Sequence, residues 1–340
     1  MNGEVAKKFN INDLEEGAVI ANSIGGNALT GGKGKETVAD QRSACREACH
    51  LIADIHCQDH PQVIVHGNGP QAGFIALRTF LALSKLHDVP MDAIVADTQG
   101  AIGYMIEQEL MNILAQRGHP QARRVATLVT QVLVAHDDPA FEDFTKPIGP
   151  WMDESQAQDL ATAVPDWVIK NVDPRSDEGW RRVVASPAPT GIVNLDAIRH
   201  SVHGGFPTIS CGGGGIPVIE ENGQLVGVPA VIDKDRATAH VAEGVGAEGM
   251  IIFTKAPGVI DLDEYAREGE NGTPIDVLTT NQAKALIPHL GRGDMGPKLG
   301  SCIQLTESTG KPSVIANFAN GRDALQGKGG THIVFSKGHA

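Results

Sequence analysis

The sequence is short of cysteine, of positive charge and of long apolar runs, and each shortage excludes something. Five cysteines, an odd number in a chain of 340 residues, do not make a disulfide framework and fit a reducing compartment. Twenty-eight Lys and Arg face 41 Asp and Glu, and the formal net charge of −13 repels nucleic acid and anionic membrane surfaces at long range. No segment approaches an uncharged membrane span. The first twenty residues mix both charges and lack an apolar run before a small-residue cleavage site, so a cytoplasmic protein is expected. Aromatic residues are also sparse, at 4%, while 41% hydrophobic and 20% charged residues are ordinary for a soluble globular chain. A chain of this length buries roughly three quarters of its unfolded surface, enough for one large domain or two modest ones.

Glycine is what the sequence has in excess. Forty glycines suit a protein rich in strand-to-helix loops, where backbones approach closely or φ is positive. The amino-terminal half repeats one pattern. Ala18 to Ile24 is an apolar run that ends at Gly25-Gly26-Asn27, and a helix follows from about Thr37 to Asp59. Val63-Ile64-Val65 ends at His66-Gly67-Asn68-Gly69-Pro70, again with a helix behind it. A short apolar run at Ala93 to Ala96, a helix through Tyr104-Met105-Ile106 and a β-branched stretch from Val125 to Val134 come next. Strands alternating with helices predict an α/β fold with a mostly parallel sheet covered on both faces.

Between His136 and Pro189 the pattern dissolves. This window holds seven of the 19 prolines and all three tryptophans. It reads as an irregular excursion over the sheet, a lid or small protruding subdomain spanning 136–189 within a single domain of 1–340. The alternation resumes at Pro207-Thr208-Ile209-Ser210 and enters four consecutive glycines, Gly212 to Gly215. Val231-Ile232 precedes Asp233-Lys234-Asp235 and a helical stretch from Arg236 to Gly244. Gly249 to Thr254 and Ser313 to Ala316 read as further strands.

Three strands thus end in glycine turns: SIGGNA, VHGNGP and SCGGGGIP. In an open α/β sheet ligands bind outside the carboxyl ends of the strands, where such turns present successive N–H groups to an anion. A phosphate-bearing ligand accounts for all three together. A Walker loop does not, because Asn27 and Gly34 stand where its first glycine and its Ser or Thr belong. A dinucleotide fold is the rival reading, with Gly67 to Gly73 as the turn and Asp97 as the ribose contact. It leaves two lysine motifs without a role, Asp233-Lys234-Asp235 and Asp294-Met295-Gly296-Pro297-Lys298. Lys234 at a helix start suits neutralisation of a transferring phosphoryl group, with an aspartate holding the lysine or a magnesium ion; Lys298 suits a second clamp, and Lys146 a third from the excursion. One further cluster, Cys45, Cys49, His50, His56, Cys57 and His60, has spacing compatible with zinc, but reads better as buried thiols and surface histidines.

The combination resembles carbamate kinase, of the amino acid kinase superfamily, from about Ile24 to Val334. The matching segments are GGNAL (25–29), HGNGPQ (66–71), TQGAIGY (98–104), TKPIGP (145–150), GWRRVVASP (179–187), CGGGGIPV (211–218), AVIDKD (230–235) and GDMGPK (293–298). The resemblance implies a three-layer αβα sandwich, a homodimer, a protruding subdomain, and reversible phosphoryl transfer between ATP and carbamate with Mg²⁺. It implies that Gly25, Gly26, Asn27, Gly67 and Asn68 surround the transferred group and carbamate, and that Lys146, Lys234 and Lys298 contact the phosphates. Gly212, Gly213 and Gly214 would approach the substrate end. Thr254, Lys255, Met295 and Gly296 would border the nucleotide, and Asp233 and Asp235 would organise the lysines or hold magnesium indirectly. Thr254-Lys255-Ala256-Pro257 departs from the family's usual continuation after this strand, and an amino-terminal extension carries Lys33-Gly34-Lys35. A non-catalytic sensor of nucleotide or carbamoyl phosphate on the same fold, or a kinase of a related small acid, are the alternatives to a carbamate kinase.

Overall fold

A computed structural model of the chain describes residues 7–30, 37–269, 272–290 and 295–336, together with the backbone but not the side chains of Asn27 and Ala28. Its centre is an eight-stranded sheet. The strand order across it is Val277–Thr279, Thr331–Val334, Ser313–Ala316, Gly249–Phe253, Ile20–Ile24, Gln62–His66, Thr208–Ile209 and Ala126–Thr127. Every neighbouring pair is parallel except Ser313–Ala316 with Thr331–Val334.

The strand IANSI and the strand QVIVH are buried at every position, as parallel strands covered on both faces must be. Alternate residues then feed two cores. Ala21, Val63, Val65, Met250 and Ile252 pack with Ala237, Val241, Leu299 and Cys302 from the helices Lys234–Val245 and Met295–Thr309. Ile24 and Ile64 point the other way, onto Ala48, Ile52, Ile102 and Ile106 from the helices Val38–His56 and Met91–Gln116. The result is the α/β three-layer αβα sandwich.

Three sequence expectations are corrected. Ala93 to Ala96 is not a separate strand but the opening of one 26-residue helix, Met91–Gln116, whose buried Ile94, Val95, Ile102 and Ile106 follow helical spacing. Asp97 is an exposed position on that helix and not the end of a strand, which removes it as a ribose contact. The stretch from Val125 to Val134 is divided: Ala126–Thr127 is an edge of the central sheet, and Gln131–Val134 belongs to a second sheet of four strands with Gln224–Gly227, Ile216–Glu221 and Pro189–Ile192.

The proline-rich window is regular where the sequence reads as irregular. Lys146–Met152, Trp180–Val184 and Val168–Asn171 form an antiparallel three-stranded sheet. The helix Glu154–Ala163 packs on it, opened by a reciprocal capping pair between Asp153 and Gln156. Antiparallel edges admit prolines that a central parallel strand excludes, so proline density hid the strands. The small sheet meets the main body where Gly149, at φ +76°, passes Gly73 on the helix Gly69–Ala82; a Cβ on Gly73 would lie 1.8 Å from the Gly149 Cα.

Candidate active site at the carboxyl ends of the central strands

Four adjacent parallel strands end on the same edge: Gly249–Phe253, Ile20–Ile24, Gln62–His66 and Thr208–Ile209. The turns that follow them therefore stand side by side. Gly25 donates its N–H to the Phe253 carbonyl at 3.2 Å, and Gly67 donates to the Ile24 carbonyl at 2.9 Å. A side chain at Gly67 would collide with this arrangement, because its Cβ would fall 2.6 Å from the Gly26 nitrogen and 3.2 Å from Lys234 Cδ. The third turn closes over the second. Gly213 and Gly214 have φ of +66° and +91°, and Cβ atoms there would fall 2.2 Å from Asn68 Nδ2 and 2.3 Å from the Ile232 carbonyl oxygen. The four glycines are thus an ordered packing element and not a linker.

Against these turns stands a charged cluster. Asp233 caps the helix Lys234–Val245 by accepting the Asp235 N–H at 2.9 Å, which fixes the start of the helix at the sheet edge. The other oxygen of Asp233 accepts from Lys146 Nζ at 2.5 Å, so a lysine of the small sheet is tied to a helix of the main body. Lys234 Nζ donates to Ser23 Oγ at 2.8 Å and to Asp235 Oδ1. Asp235 also accepts from Ser23 Oγ at 2.6 Å and from Lys298 Nζ at 3.2 Å. Lys234, Asp235 and Lys298 are all buried.

The electrostatics follow from burial and pairing. Desolvation alone would raise the Asp235 carboxyl, but Lys234 and Lys298 hold it below the ordinary carboxylate range. Desolvation likewise opposes ionisation of Asp233, and Lys146 foremost outweighs it, leaving that group depressed as well. Burial lowers the Lys234 pKa, and Asp235 is the main influence in the opposite direction. Two aspartates one residue apart thus hold three lysine heads, Asp233 that of Lys146 and Asp235 those of Lys234 and Lys298.

The structure therefore brings together Gly25, Gly26, Gly67, Asn68, Gly212, Gly213, Gly214, Lys146, Asp233, Lys234, Asp235 and Lys298. The side chain of Asn27 lies outside the described residues, as do Lys33, Gly34, Lys35, Gly293 and Asp294. Thr254 and Lys255 stand on the neighbouring strand end, tied to the turn opposite: Thr254 N–H donates to the Ala316 carbonyl at 2.9 Å, and the Lys255 carbonyl accepts from Asn317 Nδ2 at 3.4 Å. Met295 and Gly296 form the first turn of the helix that carries Lys298.

Sequence reasoning missed four residues of this site. Ser23 bridges Lys234 and Asp235; its only signal is a small hydroxyl side chain one residue short of the end of an apolar strand. Thr98, within the buried helix, accepts from Asn68 Nδ2 at 2.8 Å and holds that side chain under the glycine loop. Gln99 pairs in both directions with the Thr130 backbone, at 2.7 and 3.0 Å. His66 is buried, donates its Nδ1–H to the Gly67 carbonyl at 3.2 Å, and leaves Nε2 without a partner; burial pushes its pKa down to about 4.

The cysteines and histidines of the 45–60 cluster do not gather into one ligand set. Cys45 and Cys49 pack inside the core, with the Cys49 thiol on the Ile106 carbonyl, while Cys57 is exposed. His56 and His60 are buried, not on the surface as expected, and His60 Nδ1 bonds the Ala18 carbonyl at 3.2 Å. Among the described residues no three His, Cys, Asp or Glu gather as a metal would need. No helix among them is long and apolar enough to cross a membrane.

Known proteins are similar to this chain in sequence and fold. A sequence profile of the amino acid kinase family covers residues 19–317. A carbamate kinase from Pyrococcus horikoshii is 41% identical over 94% of this chain and 99% of its own length. One from Halobacterium salinarum is 37% identical over 92% of this chain and 97% of its own. Among solved structures, the carbamate kinase from Giardia lamblia bound to citric acid superposes with a TM-score of 0.87, at 34% identity over 94% of this chain and 99% of that one.

Proposed function

Since this chain belongs to the amino acid kinase family, among its carbamate kinases, we propose a division of labour for its lysines in phosphoryl transfer. The protein is a carbamate kinase-like phosphotransferase, an enzyme moving a phosphoryl group between carbamate and ATP. In the ATP-forming direction a terminal phosphate oxygen of ADP attacks the phosphorus of carbamoyl phosphate. The bond from phosphorus to the carbamate oxygen breaks, and carbamate leaves as an anion that decays to carbon dioxide and ammonia. Charge is conserved through the step but spreads over the equatorial phosphoryl oxygens, so the protein's task is positioning and neutralisation rather than proton transfer.

The observation that carries this reading is the convergence of Lys146, Lys234 and Lys298, held by two aspartates, on an edge lined by three glycine turns. In our reading Lys234 and Lys298 contact the transferred group and the flanking phosphates. Lys146 exchanges Asp233 for the substrate, and the turns at Gly25–Gly26, Gly67–Asn68 and Gly212–Gly214 shape the carbamate end. Thr254, Lys255, Met295 and Gly296 border the nucleotide. The residues present do not fit a magnesium ion held directly by protein, because both oxygens of Asp235 are engaged by Ser23, Lys234 and Lys298, and Asp233 by Lys146 and a backbone N–H. The proposed Mg²⁺ therefore arrives on the phosphates of ATP or ADP. A homodimeric assembly and a cytoplasmic location complete the proposal.

The test is direct. Purified protein with Mg²⁺, ADP and carbamoyl phosphate should form ATP, read by a luciferase assay. Tight nucleotide binding without turnover would instead identify a sensor.

A further inference from the structure

Away from the lysine cluster, a cavity of about 480 Å³ opens between the helix Gly69–Ala82 and the small sheet with its helix Glu154–Ala163. Its walls are apolar and aromatic, from Phe80, Trp151, Leu160, Ala163 and Trp167. The volume is that of a small-molecule site and not of a packing defect. One wall residue is a cation. The Arg182 Cζ stands over the Trp167 ring, 3.7 Å from its centroid, and its Nε is buried without a hydrogen-bond partner. Among the described residues no carboxylate comes within ion-pair distance of this guanidinium, although Asp159 and Gln156 also line the cavity. Burial lowers its pKa to about 10, and Asp88, the one carboxylate acting in the opposite direction, does not offset that. An unpaired buried donor is costly, and an anionic ligand would relieve that cost.

The cavity is also joined to the phosphoryl site. Arg182 pairs across the small sheet with Ile148, two residues along the strand from Lys146. An occupant pressing on that strand presses on the element that delivers Lys146 to Asp233.

We propose that this cavity binds a small amphipathic anion, an apolar body bearing one carboxylate head, and that its occupancy is felt at Lys146. The anion pairs with Arg182 and the body lies among Phe80, Leu160 and Trp167. Octanoate is a suitable probe and 1-octanol its uncharged match. Because Trp151 and Trp167 line the cavity, tryptophan fluorescence of the full chain reports binding independently of catalysis, so failure here is distinguishable from failure of the kinase reading. Octanoate is expected to bind saturably and about tenfold or more tightly than 1-octanol. Arg182→Leu should erase that preference while 1-octanol still binds. Ala163→Phe, at an exposed position on the rim, should block both ligands while leaving ATP formation without additive unchanged. Saturating octanoate should shift the KM for carbamoyl phosphate at least about twofold in the parent protein and not in Ala163→Phe. Equal affinity for the two probes, or a preference that survives Arg182→Leu, would overturn the anion site. Saturable binding with an unchanged KM would overturn the coupling to Lys146.

Discussion

Replacing Asp235 by asparagine keeps the shape of the site and removes the charge on which its lysines depend. Asp235 is 1% exposed and accepts from Ser23, Lys234 and Lys298. In the variant Lys234, itself 8% exposed, faces an uncharged amide in place of its carboxylate. Breaking a buried pair in this way costs about 3 to 5 kcal/mol if the remaining cation stays charged. The cation has an alternative, which is to lose its proton. At pH 7.5 that costs about 4 kcal/mol for a lysine whose pKa in the unfolded chain is about 10.4. The loss of stability is therefore expected at about 3 to 4 kcal/mol at pH 7.5. It should also shrink with pH, because the cost of deprotonation falls to about 2 kcal/mol at pH 9. The sign is that of a lysine whose folded pKa is depressed: protons bind preferentially to the unfolded variant, so raising the pH stabilises the variant relative to the parent. Urea unfolding of both proteins at pH 7.5 and pH 9 measures this, and ATP formation should fall at least about a hundredfold at the lower pH. A destabilisation below about 1 kcal/mol, or one that does not change between the two pH values, would refute the coupling of Lys234 to Asp235.

Other perturbations follow from the same geometry. Gly214→Val should be at least about 2 kcal/mol less stable and nearly inactive, since a non-glycine residue at φ +91° is strained and its Cβ meets the Ile232 carbonyl, one residue before Asp233; a fully active enzyme with the parent's melting temperature would contradict this. Lys146→Met should stay folded, at a stability cost of about 1 to 3 kcal/mol, while losing at least about a hundredfold in turnover, because the Asp233 carboxylate it leaves still accepts the Asp235 N–H and is faced by Lys234 and Lys298; circular dichroism with the luciferase assay separates the two effects. His56, His66 and His332 all have pKa values lowered by burial to about 4. Their depressed folded values mean that stability is fully present above about pH 6.5 and is lost as the pH falls towards 4, by up to about 3 kcal/mol for His66. His66→Gln should flatten this window in urea titrations, and an unchanged slope between pH 6.5 and 4 would count against it.

Much of the site is legible in the chain before any coordinates. The recurrence of SIGGNA, VHGNGP and SCGGGGIP after β-branched runs places three anion-ready turns at strand ends. Local composition suffices for that, because strand-to-glycine transitions are set by nearest neighbours. Lys234 and Lys298 are legible from their positions beside such turns. Ser23 and Thr98 are not, since each acts through a partner distant in the chain: Ser23 through a residue 212 positions away, and Thr98 through one 30 positions away. The small sheet escaped detection for a different reason. Its prolines sit on antiparallel edges, where one missing N–H is tolerated, while proline density in a sequence reads as breakage. Ala93 to Ala96 reads as a strand in the sequence and is helix in the fold, because a short apolar run is ambiguous in period until the length of its element is known.

The sequence by itself determined the αβα class, the parallel sheet and the identity of the loops, because alternation of strand and helix, glycine at strand ends and the spacing of apolar residues are properties of neighbouring residues. Only the tertiary structure decided which loops touch. Strand order places the ends of Gly249–Phe253, Ile20–Ile24, Gln62–His66 and Thr208–Ile209 next to one another, although they lie far apart in the chain. It also settled what the four glycines of the third turn are for. Side chains there are excluded by Asn68 and by the backbone of Ile232, and no pattern within Gly212 to Gly215 could disclose those neighbours, because steric exclusion depends on atoms brought close by the fold.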